Sequence, residues 1–184
     1  MKHFLKYLGF LLILNISYAT ESPKGNPTNL DSLPTPKYTL HATDSFDIRK
    51  ELKIKLFEGN RLTFFDFHYI GITHSYFEEY TKWFLNVKTN LLNGSTPESF
   101  DCDNFSLLYK SLLSTAVYKN NKDKEILVGV IMVRQKHPML GIPAGVLHAL
   151  NIVKTDMGWF VVEPQTGEFI NLKDYPNEIR KYIF

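Results

Sequence analysis

Apolar positions change period along this chain, and the changes mark out its elements. In "SYFEEYTKWFLNVKTNLL" (75–92), Phe77, Tyr80, Phe84, Val87 and Leu91 recur every three or four residues. That spacing predicts an amphipathic helix, with Ser75 as N-cap and Glu78 three residues on. "NGSTPES" (93–99) breaks it. A second helix is predicted from near Cys102 to about Tyr118, with Phe105, Leu108, Leu112 and Leu113 on its apolar stripe. "ILVGVIMV" (126–133) is a continuous apolar run, the mark of a buried strand. "HPMLGIPAG" (137–145) reads as an irregular loop. "VLHALNIVKT" (146–155) alternates, Met157 and Gly158 turn, and "WFVVEP" (159–164) runs back, which predicts a hairpin. "QTGEFINLKDYP" (165–176) adds a turn and one short strand.

Upstream, "ELKIKLF" (51–57) alternates and "EGN" leads into "RLTFFDFHYIGIT" (61–73). This predicts two strands joined by a glycine-containing turn, with a helix over 46–57 as the competing reading. The sum is an α+β fold, its helices packed on one side of an antiparallel sheet.

The start of the chain has another character. Lys2 and Lys6 precede the apolar run "LGFLLILNI" (8–16), and Ser17 and Ala19 follow at the small-residue positions a signal peptidase reads. Residues 1–19 are therefore expected to be a signal peptide, cleaved after Ala19. The run is shorter than the ~20 residues that span a bilayer, so no stable membrane anchor is expected after cleavage. Pro23, Pro27, Pro34 and Pro36 make 20–37 a linker, since proline at that density breaks helix and interior strand alike. One domain is expected over 38–184, in a secreted or periplasmic protein.

Charge changes the picture only slightly. The 21 basic residues exceed the 19 acidic ones by two, and Lys2 and Lys6 account for that excess. A formally neutral mature chain has no basic footprint for nucleic acid.

The candidate chemistry begins at the single cysteine. A thiol without a partner in an exported chain is an inert core side chain, an intermolecular bridge or a reactive group. Cys102 falls at the first turn of the predicted second helix, where free backbone N–H groups and the positive end of the helix dipole favour a thiolate. Asp101 and Asp103 flank it and oppose that charge, or instead cap the helix or bind a cation. His148 lies near the start of one hairpin strand and Glu163 at the end of the other. A helix-borne cysteine, a strand-borne histidine and a carboxylate on the next strand are a nucleophile, a base and its orienter. His148 shares a strand face with Leu150 and Ile152; which hairpin face Glu163 shares depends on the turn. His68 and His74 have no cysteine or carboxylate at metal-ligand spacing, and no metal or cofactor is expected.

"DCDNFSLLYKSLL", "GVLHALNIV" and "GWFVVEPQTGEFINL" resemble the Cys, His and acid blocks of the papain-like and bacterial transglutaminase-like cysteine peptidase superfamily. The "HALN … VEPQTG" pair also resembles the papain-like C-terminal domain of a calcium-dependent mushroom agglutinin. The similarity covers residues 98–172. It implies a papain-like cysteine hydrolase fold and an exported thiol hydrolase, a peptidase or amidase, that acts on a peptide or amide substrate through a thioester. Cys102 would attack the carbonyl, His148 would exchange the proton and Glu163 would hold the imidazole tautomer, with Asn151 in support. A non-catalytic binding or adaptor domain on the same fold is the alternative, as is a transglutaminase-like acyltransferase. One departure stands out: papain places a glutamine before its cysteine to bind the oxyanion, and "NGSTPESFD" (93–101) has none. The Cys102 backbone N–H is one replacement donor; Trp83, Tyr80 and Asn93 are candidates for a second.

Overall fold

The computed structural model describes residues 33–52, 62–66, 68–91, 101–120 and 125–184. The chain enters along strand β1 (Tyr38–Asp44) and passes directly into helix α1 (Ser45–Glu51). Asp44 caps that helix by accepting from the backbone N–H groups of Phe46 (2.9 Å) and Asp47 (2.8 Å). Thus 45–51 is helical, as the competing reading had it, and Glu51 is not in a strand; residues 53–57 of the expected strand lie outside the described residues. Strands β2 (Leu62–Thr63) and β3 (His68–Ile72) follow.

Helix α2 (His74–Leu91) buries Phe77, Tyr80, Phe84 and Val87, the stripe read from its period. Its cap is not Ser75. The helix begins one residue earlier, so Thr73 Oγ1 accepts from the Tyr76 N–H (3.3 Å) and Asp156 Oδ1 accepts from the His74 N–H (2.7 Å). The described end of the proline-rich segment is docked here. Lys37 O accepts from the Thr73 N–H (2.8 Å), and the Tyr76 hydroxyl donates to Pro34 O (3.2 Å).

Helix α3 (Cys102–Asn120) is rotated from the stripe expected of it. Ser106, Tyr109, Leu113, Ala116 and Val117 are buried, whereas Phe105, Leu108 and Leu112 are half-buried. The reason is that α3 is covered on two sides, by α2 and by the sheet. A single-stripe reading follows the largest apolar side chains and misses the small ones on which close packing depends.

The remaining strands are β4 (Glu125–Ile126), β5 (Val128–Arg134), β6 (Leu147–Thr155), β7 (Gly158–Val162), β8 (Phe169–Asn171) and β9 (Glu178–Ile183), with one 3₁₀ turn at Leu172–Asp174. Their order is β1-β3-β6-β5-β9-β2, with β4 beside β3, β7 beside β6 and β8 beside β7. The α+β class stands. The expected antiparallel sheet is instead mixed, because β3 runs parallel to β4 and β6, and β2 parallel to β9. Helices α2 and α3 make the long crossover that parallel neighbours need. Strand β9, unassigned in the sequence reading, lies between β5 and β2.

Each sheet face has its own core. Helices α2 and α3 cover Val128, Val153, Phe160 and Val162 on one face. On the other, Ile48 of α1 and Leu52, which caps its C-terminal end, join Ile131, Val133, Leu150, Ile152, Val161 and the C-terminal Tyr182 and Phe184. The helices therefore do not all lie on one side, as expected from the sequence. Alternation along β5, β6 and β7 supplies both apolar faces.

Candidate functional site

The site lies where β7 stops and β6 continues. The hairpin register pairs Thr155 with Gly158 and Asn151 with Val162, so Glu163 falls opposite Leu150, just beyond the ladder. Two-residue alternation then puts Glu163 on the face of Leu150 and His148, which resolves what the turn had left open. The glutamate spans the diagonal, and Glu163 Oε2 is hydrogen-bonded to His148 Nε2. Glu163 Oε1 accepts from the Gln165 N–H at 2.8 Å. Both carboxylate oxygens are held and Glu163 is 2 % exposed, so its direction is fixed. With Nε2 taken, Nδ1 is the imidazole nitrogen left to exchange a proton.

The "EPQTG" block is the turn that makes this possible. The Gly167 N–H donates to Glu163 O (2.7 Å) and the Glu163 N–H to Glu168 O (2.9 Å). Gly167 has φ +77, and a Cβ there would stand 2.5 Å from Leu85 Cδ1 of α2. Glycine suits that left-handed backbone, and any Cβ there would have to push the Leu85 side chain aside. The turn carrying Glu163 is thereby pressed onto the end of α2.

Cys102 is the first residue of α3, a free and half-buried thiol. The helix runs alongside β6 in the same direction. Asn151 Nδ2 donates to Ser106 O (2.9 Å), and one turn on Lys110 Nζ donates to Val128 O (3.1 Å), whose residue pairs with Val153. Going back from those contacts, Cys102 lies about 6 Å up the helix from Ser106, and His148 about 10 Å up the strand from Asn151. Cys102 and His148 are therefore at the same end of the layer. Among the described residues no hydrogen bond joins the thiol to the imidazole. The structure brings His148 and Glu163 into contact and sets Cys102 at their end of the sheet.

The flanking acids act on each other. A hydrogen bond from the Asp103 carboxyl holds Asp101 below the ordinary range, and the Asn104 N–H adds to this. The same side-chain bond pushes Asp103 up. The two carboxyl groups titrate as a pair, and Asp101 caps α3 by accepting from the Asn104 N–H. This fits the capping reading.

Lys88 had no signal in the sequence reading beyond its place in the last turn of α2. Its ammonium lies 5.5 Å from the Phe105 ring centroid, three residues past Cys102. Burial lowers its pKa below the usual lysine value, and the charge of Glu163 acts in the opposite sense. Tyr80 and Trp83, considered as oxyanion donors, are both buried. The Tyr80 hydroxyl already donates to Tyr109 O at 2.8 Å, which removes it from that role; Asn93 lies outside the described residues. His74 packs its ring 4.5 Å from Phe160, within an aromatic cluster remote from Cys102 in the fold. Among the described residues no group of three His, Cys, Asp or Glu side chains is placed to hold a metal ion.

A groove of about 400 Å³ opens beside His148 and Glu163, walled by Leu140, Ile142, Pro143, Val146 and Leu147 and edged by Gln165 and Thr166. Buried Gln135 organises this wall. Its side-chain amide donates to Met139 O (3.2 Å), its backbone bonds to Val146 and Gly145, and its Oε1 accepts from the Tyr175 hydroxyl (3.1 Å). Met139 and Ile142 pair around a two-residue turn in which Leu140 (φ 55) and Gly141 (φ 73) are both left-handed. Such a turn favours Asn-Gly, and a branched apolar residue there is strained. Leu140→Asn should therefore raise stability by about 1 kcal/mol, read from denaturant unfolding. A loss of stability would mean that Leu140 packing outweighs the backbone gain.

No family model matches this sequence, and no curated protein matches it. Solved structures that share its fold include two that bear on the site. The PSL1a–E64 complex aligns with a TM-score of 0.58 at 16% identity, over 78% of this chain and 50% of that one. Polyporus squamosus lectin, bound to the human-type influenza-binding epitope Neu5Aca2-6Galb1-4GlcNAc, aligns with a TM-score of 0.55 at 13% identity, over 78% and 49%. This chain thus spans about half the length of each neighbour. The likeness is one of fold; it supports the resemblance to an agglutinin domain and does not extend to membership of a papain-like peptidase superfamily.

Proposed function

We propose that this chain is an exported ligand-binding domain that seats a peptide- or amide-bearing ligand in the groove beside His148. The observation that carries the reading is the groove itself. It has an apolar wall, with Leu147 58% exposed, facing polar groups of His148, Gln165 and Thr166. Specific small-ligand sites combine apolar walls with a few fixed polar groups in this way. The shared fold with two lectin structures supports a binding role. Titration calorimetry of the mature chain against a peptide panel tests it, with the sialylated epitope as a saccharide arm. Binding lost in Leu147→Asp and kept in Cys102→Ala is the expected result. Binding only to the saccharide, or unchanged by Leu147→Asp, would move the ligand class or the site.

A second reading, a thiol hydrolase acting through Cys102, His148 and Glu163, has one specific observation in its favour. Glu163 holds Nε2 and leaves Nδ1 free at the end of the sheet where Cys102 begins its helix. Were the thiol to reach that imidazole, Nδ1 is the atom that would take its proton. Treatment of the native chain with iodoacetamide, and separately with E64, should give a covalent adduct on Cys102 at neutral pH. A thiol that stays unmodified until the chain is unfolded would remove this reading and leave the binding domain.

A further inference from the structure

We infer that Asn151 is the positioning residue that sets Cys102 relative to His148. It sits at the middle of β6, is 0% exposed, and shares with Thr155, at the far end of the strand, the place of a buried polar side chain on that face. Its amide nitrogen donates twice, to Ser106 O of α3 at 2.9 Å and to Gly129 O of β5 at 3.2 Å. One buried side chain thus ties the cysteine helix to the histidine strand and to the strand beside it. Ser106 is small and fully buried, which lets the helix backbone come within hydrogen-bond distance of the amide. The tie is made one helical turn past Cys102 and three strand residues past His148, so a shift there moves the thiol directly.

An apolar side chain of similar size would pack in the same space, since interiors accept volume-conserving swaps at small cost. It would leave helix and strand without the bond that fixes their relative slide. Buried amide bonds of this type contribute roughly 1 kcal/mol each to stability, which does not explain placing both on two separate elements at this end of the fold. Control of the helix position does.

The inference rests on the thiol reading of the site, and the experiment separates the two. The rate of Cys102 alkylation by iodoacetamide is measured from acid to alkaline pH on the mature chain. The variants are His148→Ala, Asn151→Asp, Asn151→Leu and the double variant Asn151→Leu/His148→Ala, with thermal melts confirming a cooperative fold. In the parent chain, His148→Ala should slow neutral-pH labelling roughly tenfold and give the profile of an isolated thiol. Asn151→Asp keeps the shape but turns an oxygen toward two carbonyl oxygens, and Asn151→Leu removes the tie. Each should move the profile toward that of His148→Ala, and the double variant should be no slower than His148→Ala alone. If Asn151→Asp does not fold, Asn151→Leu carries the comparison. A merely structural role would lower the melting temperature without changing the profile. Should the Asn151 variants follow the parent profile while His148→Ala departs from it, the positioning role falls and the thiol reading survives. Should His148→Ala itself follow the parent, the thiol reading falls and the positioning role with it.

Discussion

Glu163→Gln is expected to lower any turnover at Cys102 by roughly two to four orders of magnitude, with the melting temperature close to that of the parent chain. The reason lies in which imidazole nitrogen holds the proton. In the native site the carboxylate accepts at Nε2, so the Nε2–H form is favoured and Nδ1 has its lone pair free. A glutamine amide fills the same volume, and its oxygen can still accept from the Gln165 N–H. Its nitrogen, however, donates toward Nε2, which then becomes the acceptor and drives the proton onto Nδ1. The base is occupied on the side where it is needed. Packing is unchanged and only the tautomer is wrong, so activity and stability separate. Assays on substrate amides, with Cys102→Ala as the blank, read this directly. Full activity in Glu163→Gln would place the orienting group elsewhere. If parent and blank are equally inactive while the groove still binds ligand, the chain is a binding domain alone.

The second large effect is on stability. Tyr109→Ala should cost about 3–5 kcal/mol and lower the melting temperature by roughly 10 °C. Tyr109 is fully buried between α2 and α3, in edge-to-face contact with Tyr80 and with Phe84, each at 5.0 Å. Thr81 Oγ1 donates to Phe77 O at 2.8 Å, so the Tyr109 hydroxyl must donate to Thr81 at 2.8 Å. Tyr109→Phe keeps the ring and leaves Thr81 bonded, and should cost only about 1 kcal/mol. Unfolding curves of the two variants check the ring against the hydroxyl; equal losses would mean the hydrogen bond dominates.

Alkali should act on the same cluster. Burial pushes the Tyr109 and Tyr80 phenols above their ordinary value of 10.0, and burial likewise raises Tyr175 to about 12. The native state keeps protons that the unfolded chain releases. This stability is whole below pH 10 and falls as pH rises through the folded-state values. Denaturant midpoints measured between pH 8 and 12 should show that decline, and Tyr109→Phe should reduce it.

Parts of the site were legible in residue order alone. The period of α2 named Phe77, Tyr80, Phe84 and Val87 as its buried stripe, and all four are buried. The alternation of 146–164 identified the hairpin. Because the turn fixes its register, the meeting of Glu163 with His148 followed from numbers a few residues apart. Such features depend on neighbours close in sequence, where periodicity and turn chemistry carry the information.

Other parts belonged to the tertiary structure. Nothing local in α1 says that it covers the face opposite α2 and α3, and nothing in "EIRKYI" says that it enters the sheet between β5 and β2. The stripe of α3 turned because a helix covered on two sides obeys two partners at once. Lys88 carries no pattern of its own, and Asn151 stood out only through the block it shares with His148. They matter because α2 ends beside Glu163 and α3 runs alongside β6. Residue order thus determined the two long helices and the hairpin that carries His148 and Glu163, through short-range period, while the register of a single turn set the face they share. The place of Cys102 at their end of the sheet was decided by contacts between segments far apart in the chain, whose pairing is set by joint packing of both faces.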